Sequence, residues 1–212
     1  MPIIDTVSFT VDHLRLEGML HLPPVTPPVP AVVVCHPHPM YGGSMHSLVV
    51  AEICRCLNEQ GIAALRFNFR GTGGSQGTHT DGMQEPDDVK GALSYLESQE
   101  VVDFGRLGVA GYSFGAYVAL VAGVADGRAK ALCGIAPPIS YLDMSFLKNS
   151  AKPKLFIFGS RDEITPLEPF LALLGQLPGE NRHQVLDGAD HFLAGYEERV
   201  AETVAAFFKE WL

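Results

Sequence analysis

The chain has 212 residues, 47% of them hydrophobic and 18% charged, which supplies a sizeable core and argues against a disordered chain. A formal net charge of −9, with no basic run, argues against nucleic acid and anionic membrane surfaces as partners. The opening residues lack a basic segment followed by a long apolar one, and the longest apolar stretch, 116–125, is far shorter than the roughly 18 residues of a membrane span, so neither a secretory leader nor a span is expected.

Residues 6–11 and 14–22 alternate apolar and polar around a break at Asp12-His13, which predicts an antiparallel hairpin. The Pro-rich stretch 23–30 reads as a stiff connector. The pattern then changes. AVVVC (31–35) is a continuous apolar run, the mark of a strand buried on both faces. A helix is predicted over 44–60, stopped by Gly61. A strand over 62–67 follows, then a helix over 87–99 whose start is favoured by Pro86, Asp87 and Asp88. The remaining expectations are strands over 106–112, 130–136, 153–159 and 183–187, and helices over 114–125, 167–175 and 193–211.

Strands alternating with helices predict an α/β protein. The expected form is a mostly parallel sheet of about eight strands, with an antiparallel N-terminal hairpin and helices on both faces. No repeat or composition break interrupts the pattern, so residues 1–212 read as one domain. Cys35, Cys54, Cys56 and Cys133 show no zinc-site spacing and read as buried free thiols, which suits a cytoplasmic location.

Gly111-Tyr112-Ser113-Phe114-Gly115 is a G-x-S-x-G that follows a predicted strand and opens a predicted helix. Such a turn holds a serine in a strained conformation above the sheet edge, with small residues needed on both sides. Open α/β sheets gather ligands at the C-terminal ends of their strands, so partner groups are sought there. Asp162 directly follows the strand 153–159, and His191 directly follows 183–187. A serine hydroxyl needs a base to take its proton, and the base needs a carboxylate to orient it. Ser113, His191 and Asp162 are therefore the expected nucleophile, base and orienting acid. Glu163 and Asp190 compete for the last role, but Glu163 lies one residue further from the strand end and Asp190 adjoins the base.

Strand 31–35 runs into His36-Pro37-His38-Pro39-Met40-Tyr41-Gly42-Gly43. Two histidines this close invite a metal, but no clear third ligand accompanies them, so none is expected. Arg70-Gly-Thr-Gly-Gly-Ser75-Gln-Gly77 lacks the ending of a phosphate-binding P-loop. Arg70 is expected to pair with Asp87 or Asp88 and brace the site.

Together HPHPMYGG (36–43), RFNFRGTGGSQG (66–77), GYSFG (111–115), GSRDEITP (159–166) and GADHF (188–192) resemble the α/β-hydrolase superfamily over nearly the whole chain. The nearest likeness is to small lidless bacterial hydrolases related to dienelactone hydrolase, although those proper use a cysteine where Ser113 stands here. The resemblance implies the α/β-hydrolase fold without a lid domain and acyl transfer to water through an acyl-serine, with no cofactor. It also implies an oxyanion hole of two backbone N–H groups. One is that of Phe114, and the other comes from the loop after strand 31–35. Proline has no N–H, which leaves His38 or Met40; His38, two positions beyond His36, is preferred. The segment 137–152 is too short for a lid, and Tyr141, Met144 and Phe146, with Met40 and Tyr41 opposite, are expected to form an apolar rim for substrate. A small acyl ester is the expected substrate. A thioesterase, a peptidase and a non-catalytic binding protein remain open alternatives.

Overall fold

A computed structural model describes residues 3–212. Its strands are β1 (Ile3–Val11), β2 (Leu14–Leu22), β3 (Val29–Cys35), β4 (Ala63–Phe67), β5 (Val102–Tyr112), β6 (Ala129–Ile135), β7 (Lys154–Gly159) and β8 (Asn181–Leu186). Its helices are α1 (Leu48–Glu59), α2 (Glu85–Glu97), α3 (Phe114–Ala125), α4 (Leu167–Leu174) and α5 (Glu197–Trp211). The eight strands form one sheet in the order β1-β2-β4-β3-β5-β6-β7-β8. The β1–β2 and β2–β4 pairs are antiparallel and the rest parallel. This is the α/β-hydrolase architecture without a lid: only a short 3₁₀ turn, Ser145–Asn149, lies between β6 and β7. Among the described residues no helix is long and apolar enough to cross a membrane.

The continuous apolar strands serve two cores. In β3, Ala31, Val33 and Cys35 point to one face, and Val32 and Val34 to the other. The first face is covered by α2, α3 and Phe170 of α4, the second by α1 and α5. Burial on both faces is why these strands lack the polar alternation seen in β1.

Two helices start later than their apolar pattern suggests, for local reasons. Residues 44–47 close a turn, with the Ser44 N–H on Ser47 Oγ at 3.3 Å, so α1 begins at Leu48. Before α5, Leu193 and Gly195 have φ of 57° and 81°, which no helix accommodates. Asp190 Oδ1 fixes that turn by accepting the Phe192 and Leu193 N–H groups at 3.0 and 3.2 Å. α2 instead starts two residues early, because buried Glu85 caps the preceding loop through the Thr80 and Gly82 N–H groups at 2.7 and 2.8 Å.

Candidate active site

Ser113 sits between the end of β5 and the start of α3 with φ 55° and ψ −120°, a strained conformation for a residue with a Cβ. The glycines beside it are required by close backbone approach. A Cβ on Gly111 would lie 2.1 Å from the Gly115 carbonyl oxygen, and one on Gly115 would lie 2.3 Å from that of His36. The turn presents the Ser113 hydroxyl to His191, with Oγ 2.9 Å from Nε2. The His191 Nδ1 side faces Asp162 Oδ2 at 2.8 Å. The three side chains, drawn from the ends of β5, β7 and β8, thus form one hydrogen-bonded line. The Nδ1–H tautomer it requires leaves Nε2 free to accept the serine proton.

Asp162 is buried, which alone would raise its pKa. Hydrogen bonds from His191, from the Thr165 hydroxyl and from the Thr165 N–H outweigh burial and hold it below the ordinary carboxylate range. Its second oxygen is fully engaged by the Ile164 and Thr165 N–H groups, at 2.9 and 2.7 Å. Glu163 is exposed, and Asp190 is occupied by its own turn.

The β3 loop is set by His36. Its Nδ1 lies 2.6 Å from the Pro37 carbonyl, and its Nε2 accepts the Phe69 N–H at 3.1 Å. Burial lowers its pKa to about 4, so it works as a neutral tie between two loops. Arg70 pairs with Asp88 rather than Asp87, donating from Nε at 2.9 Å and from a terminal nitrogen at 2.6 Å. Asp88 also takes the Arg70 N–H at 2.9 Å, so the pair locks the glycine-rich loop to α2.

A cavity of about 800 Å³ opens above Ser113. Its wall includes His38, Tyr41, Phe114 and Tyr141. Three rim expectations fail. Met144 is 2% exposed and packs in the core below, because segment 137–152 folds down across α3. Phe146 goes with it and rests edge-on against Tyr117, ring centroids 5.9 Å apart. Met40 projects outward, 75% exposed, and does not line the cavity. Leu48, Leu142, Ile164 and Phe192 supply the apolar wall instead. Ile164 and Phe192 lie in the segments that carry Asp162 and His191, whereas Leu48, the first residue of α1, and Leu142 reach the site only through the fold. His38, whose sequence neighbourhood offers no clear third metal ligand, is brought beside His79 and Asp81 by the fold.

The fold and its hydrogen-bonded Ser–His–Asp line define the class: an α/β serine hydrolase without a lid. A solved member of the α/β serine hydrolases without lid from Xanthomonas campestris is 33% identical, with TM-score 0.86, covering 100% of this chain and 95% of that one. An α/β serine hydrolase homologue from Coxiella burnetii is 31% identical, with TM-score 0.86, covering 96% of each chain. An uncharacterised protein of Rickettsia prowazekii is 31% identical over 206 residues, 93% of this chain and 86% of that one. The chain also matches a polyketide transferase of Penicillium crustosum and a thiohydrolase of Arthrinium phaeospermum, spanning about half their length, 47% and 46%. The family model described as X-Pro dipeptidyl-peptidase (S15 family) matches residues 12–168, and the chain belongs to that family of α/β hydrolases.

Proposed function

We propose that the chain is a carboxylesterase that cleaves small neutral esters through an acyl-serine intermediate. The observation that carries this reading is the unbroken line Ser113–His191–Asp162 at the floor of a largely apolar cavity. Ser113 Oγ attacks the ester carbonyl while His191 Nε2 takes its proton. The tetrahedral adduct collapses, the bond to the alcohol oxygen breaks, and His191 returns the proton to the leaving alkoxide. Water then repeats the sequence on the acyl-serine and regenerates Ser113. Asp162 stays ionised throughout and stabilises the imidazolium.

The developing oxyanion is held by the N–H groups of Phe114 and His38 in this reading. The Met40 N–H is already directed at His38 Nδ1, 3.2 Å away. Among the described residues, no backbone acceptor takes the N–H of His38 or Phe114. Asp81 and Glu197 are the acidic groups in the wall, and no Lys or Arg joins them, which favours neutral substrates over anionic ones. The net charge of −9 fits a small-molecule substrate rather than nucleic acid, and the four buried free cysteines fit a reducing, cytoplasmic setting.

Replacing Ser113 by Ala tests the proposal. Hydrolysis of p-nitrophenyl butyrate should fall towards the limit of about 10⁶ seen when a triad serine is lost. A fluorophosphonate should label Ser113 by mass mapping. Full activity in the variant, or labelling of another serine, would overturn the assignment. The family description supports a second reading, hydrolysis of amides after an N-terminal dipeptide, because Asp81 or Glu197 offers a counter-charge for a substrate ammonium. The names of the fungal relatives support a third, thioester chemistry. A matched panel of acyl esters, thioesters and dipeptidyl anilides ranks the three by kcat/KM.

A further inference from the structure

We propose that His38, His79 and Asp81 form a binding site for a divalent transition-metal ion, with Zn²⁺ as its probe, at the mouth of the cavity. Two loops meet there. His38 comes from the loop after β3, and His79 and Asp81 come from the loop between β4 and α2. Asp81 Oδ1 lies 3.0 Å from His79 Nε2 and 3.6 Å from His38 Nε2. With metal–ligand bonds of about 2.0–2.1 Å, those separations correspond to ligand–metal–ligand angles of about 95° and 120°. The three ligand atoms lie within 4.8 Å of one another, so a shift of under about 1 Å closes the triangle around one ion.

His79 supplies the second observation. Its side chain is 11% exposed, yet both ring nitrogens are buried and make no hydrogen bond. Each lies 3.0 Å from a carboxylate oxygen, of Asp81 on one side and Glu85 on the other, but off the direction a hydrogen bond requires. Co-ligands of an ion stand in the relation of Nε2 to Asp81: the imidazole lone pair aims at the ion and the neighbouring oxygen sits to the side. Fully buried Glu85 lies beside Nδ1 with its own oxygens taken by the Thr80 hydroxyl and the Thr80 and Gly82 N–H groups, so Nε2 is the ring nitrogen that faces His38 and Asp81. Asp81 itself is held at φ 51°, a left-handed conformation that places its carboxylate beside both rings. Two imidazoles and one carboxylate suit Zn²⁺ and its borderline neighbours, whereas Mg²⁺ and Ca²⁺ prefer all-oxygen sets. Coordination through His38 Nε2 puts the ring proton on Nδ1 and releases the long contact with the Met40 N–H.

The rings of His38 and His79 both pack on Phe114, with centroids 4.7 and 5.2 Å away. An ion joining them would pin the loop that carries the His38 N–H and narrow the entrance. Zn²⁺ should therefore inhibit hydrolysis, a consequence that rests on the esterase reading, whereas binding does not.

The test is a titration of Zn²⁺ against a chromophoric chelator, run on Ser113→Ala protein so that no activity is needed. One saturable ion per chain is expected. Asp81→Asn and His79→Gln should each weaken binding by at least about tenfold, the scale of loss for even an outer partner of a metal site. Absence of saturable binding, or unchanged affinity in a folded variant, would overturn the site; exposed Asp81 provides the test if replacing His79 prevents folding. Wild-type hydrolysis should be inhibited with the same midpoint and restored by EDTA, and undiminished turnover at saturating Zn²⁺ would overturn the blocking role. If the wild type hydrolyses no substrate in the panel, the esterase reading fails and the titration still decides the site.

Discussion

The phenolic hydroxyl of Tyr112 donates to the backbone carbonyl of His191 at 2.7 Å. The residue beside the proposed nucleophile therefore holds the loop that carries the proposed base, and the distance between the two no longer depends on the His191 side chain alone. Tyr112→Phe should leave that buried carbonyl unpaired, at a cost of about 1–3 kcal/mol. If the cost falls on base placement, kcat drops by about 5- to 160-fold with KM little changed. Initial rates over a substrate series measure this, and an unchanged kcat would mean that other contacts place the loop.

The orienting acid gives a ranking. Asp162→Asn should lower kcat by about 10⁴, since the amide favours the wrong imidazole tautomer. Asp190→Asn, whose carboxylate serves only the turn at Phe192 and Leu193, should cost far less. Side-by-side steady-state kinetics decide it, and the opposite order would move the acid's role to Asp190.

Stability should fall on acidification through two histidines outside the site. His21 and His36 are buried, and burial lowers each pKa from 6.5 to about 4, with Arg66 adding to the effect at His21. Arg66 Nε donates to His21 Nε2 at 3.0 Å, so a proton there would set two cations against each other. Between about 6.5 and about 4 the unfolded chain takes up protons that the folded chain refuses, so stability rises with pH across that window. Urea unfolding from pH 7 to pH 4.5 should show a slope approaching two protons. His21→Gln should flatten it by one, and a pH-independent midpoint in the wild type would sink the account.

Acyl chain length follows from the wall. Each buried CH₂ contributes roughly 0.8 kcal/mol while apolar surface continues. Tyr41, Leu48, Tyr141 and Phe192 are exposed at the rim, and beyond them a chain meets water. Hydrolysis of p-nitrophenyl esters should peak at roughly two to six acyl carbons, without interfacial activation, as no lid exists to open. An optimum at twelve carbons or more would require an apolar groove supplied by something other than these residues.

The antiparallel start and parallel remainder of the sheet, the glycine-flanked turn and the positions of Ser113, Asp162 and His191 at strand ends could all be read from sequence, because each depends on local pattern and on the rule that sites gather at strand ends; the crossing of β3 and β4 in the sheet order could not. Phe114 opens α3 as expected, and helix 114–125 has its predicted bounds. What escaped was set by loop paths. Met144 and Phe146 look like rim residues, but nothing local reveals that 137–152 turns inward over α3. Thr165 and Tyr112 secure the proposed acid and base through contacts three and 79 positions away. The Thr165 contact lies within one turn and has a signal in Asp-x-x-Thr; the Tyr112 contact has none. His79 and Asp81 sit 41 and 43 residues beyond His38, so only the fold makes them neighbours.

The sheet that separates the two cores also divides the thiols. Cys35 belongs to the face under α2 and α3, whereas Cys54, Cys56 and Cys133 belong to the face under α1 and α5. All four are buried, and burial raises the pKa of each. Only a thiolate in contact with solvent reacts readily, so alkylation has to wait for an opening of the packed layer around it. The protein thus carries an internal clock for each side of its sheet. If the layers detach independently, Cys133 and Cys35, on neighbouring parallel ladders but opposite faces, would be modified at different rates; if the molecule opens only as a whole, the two rates would converge.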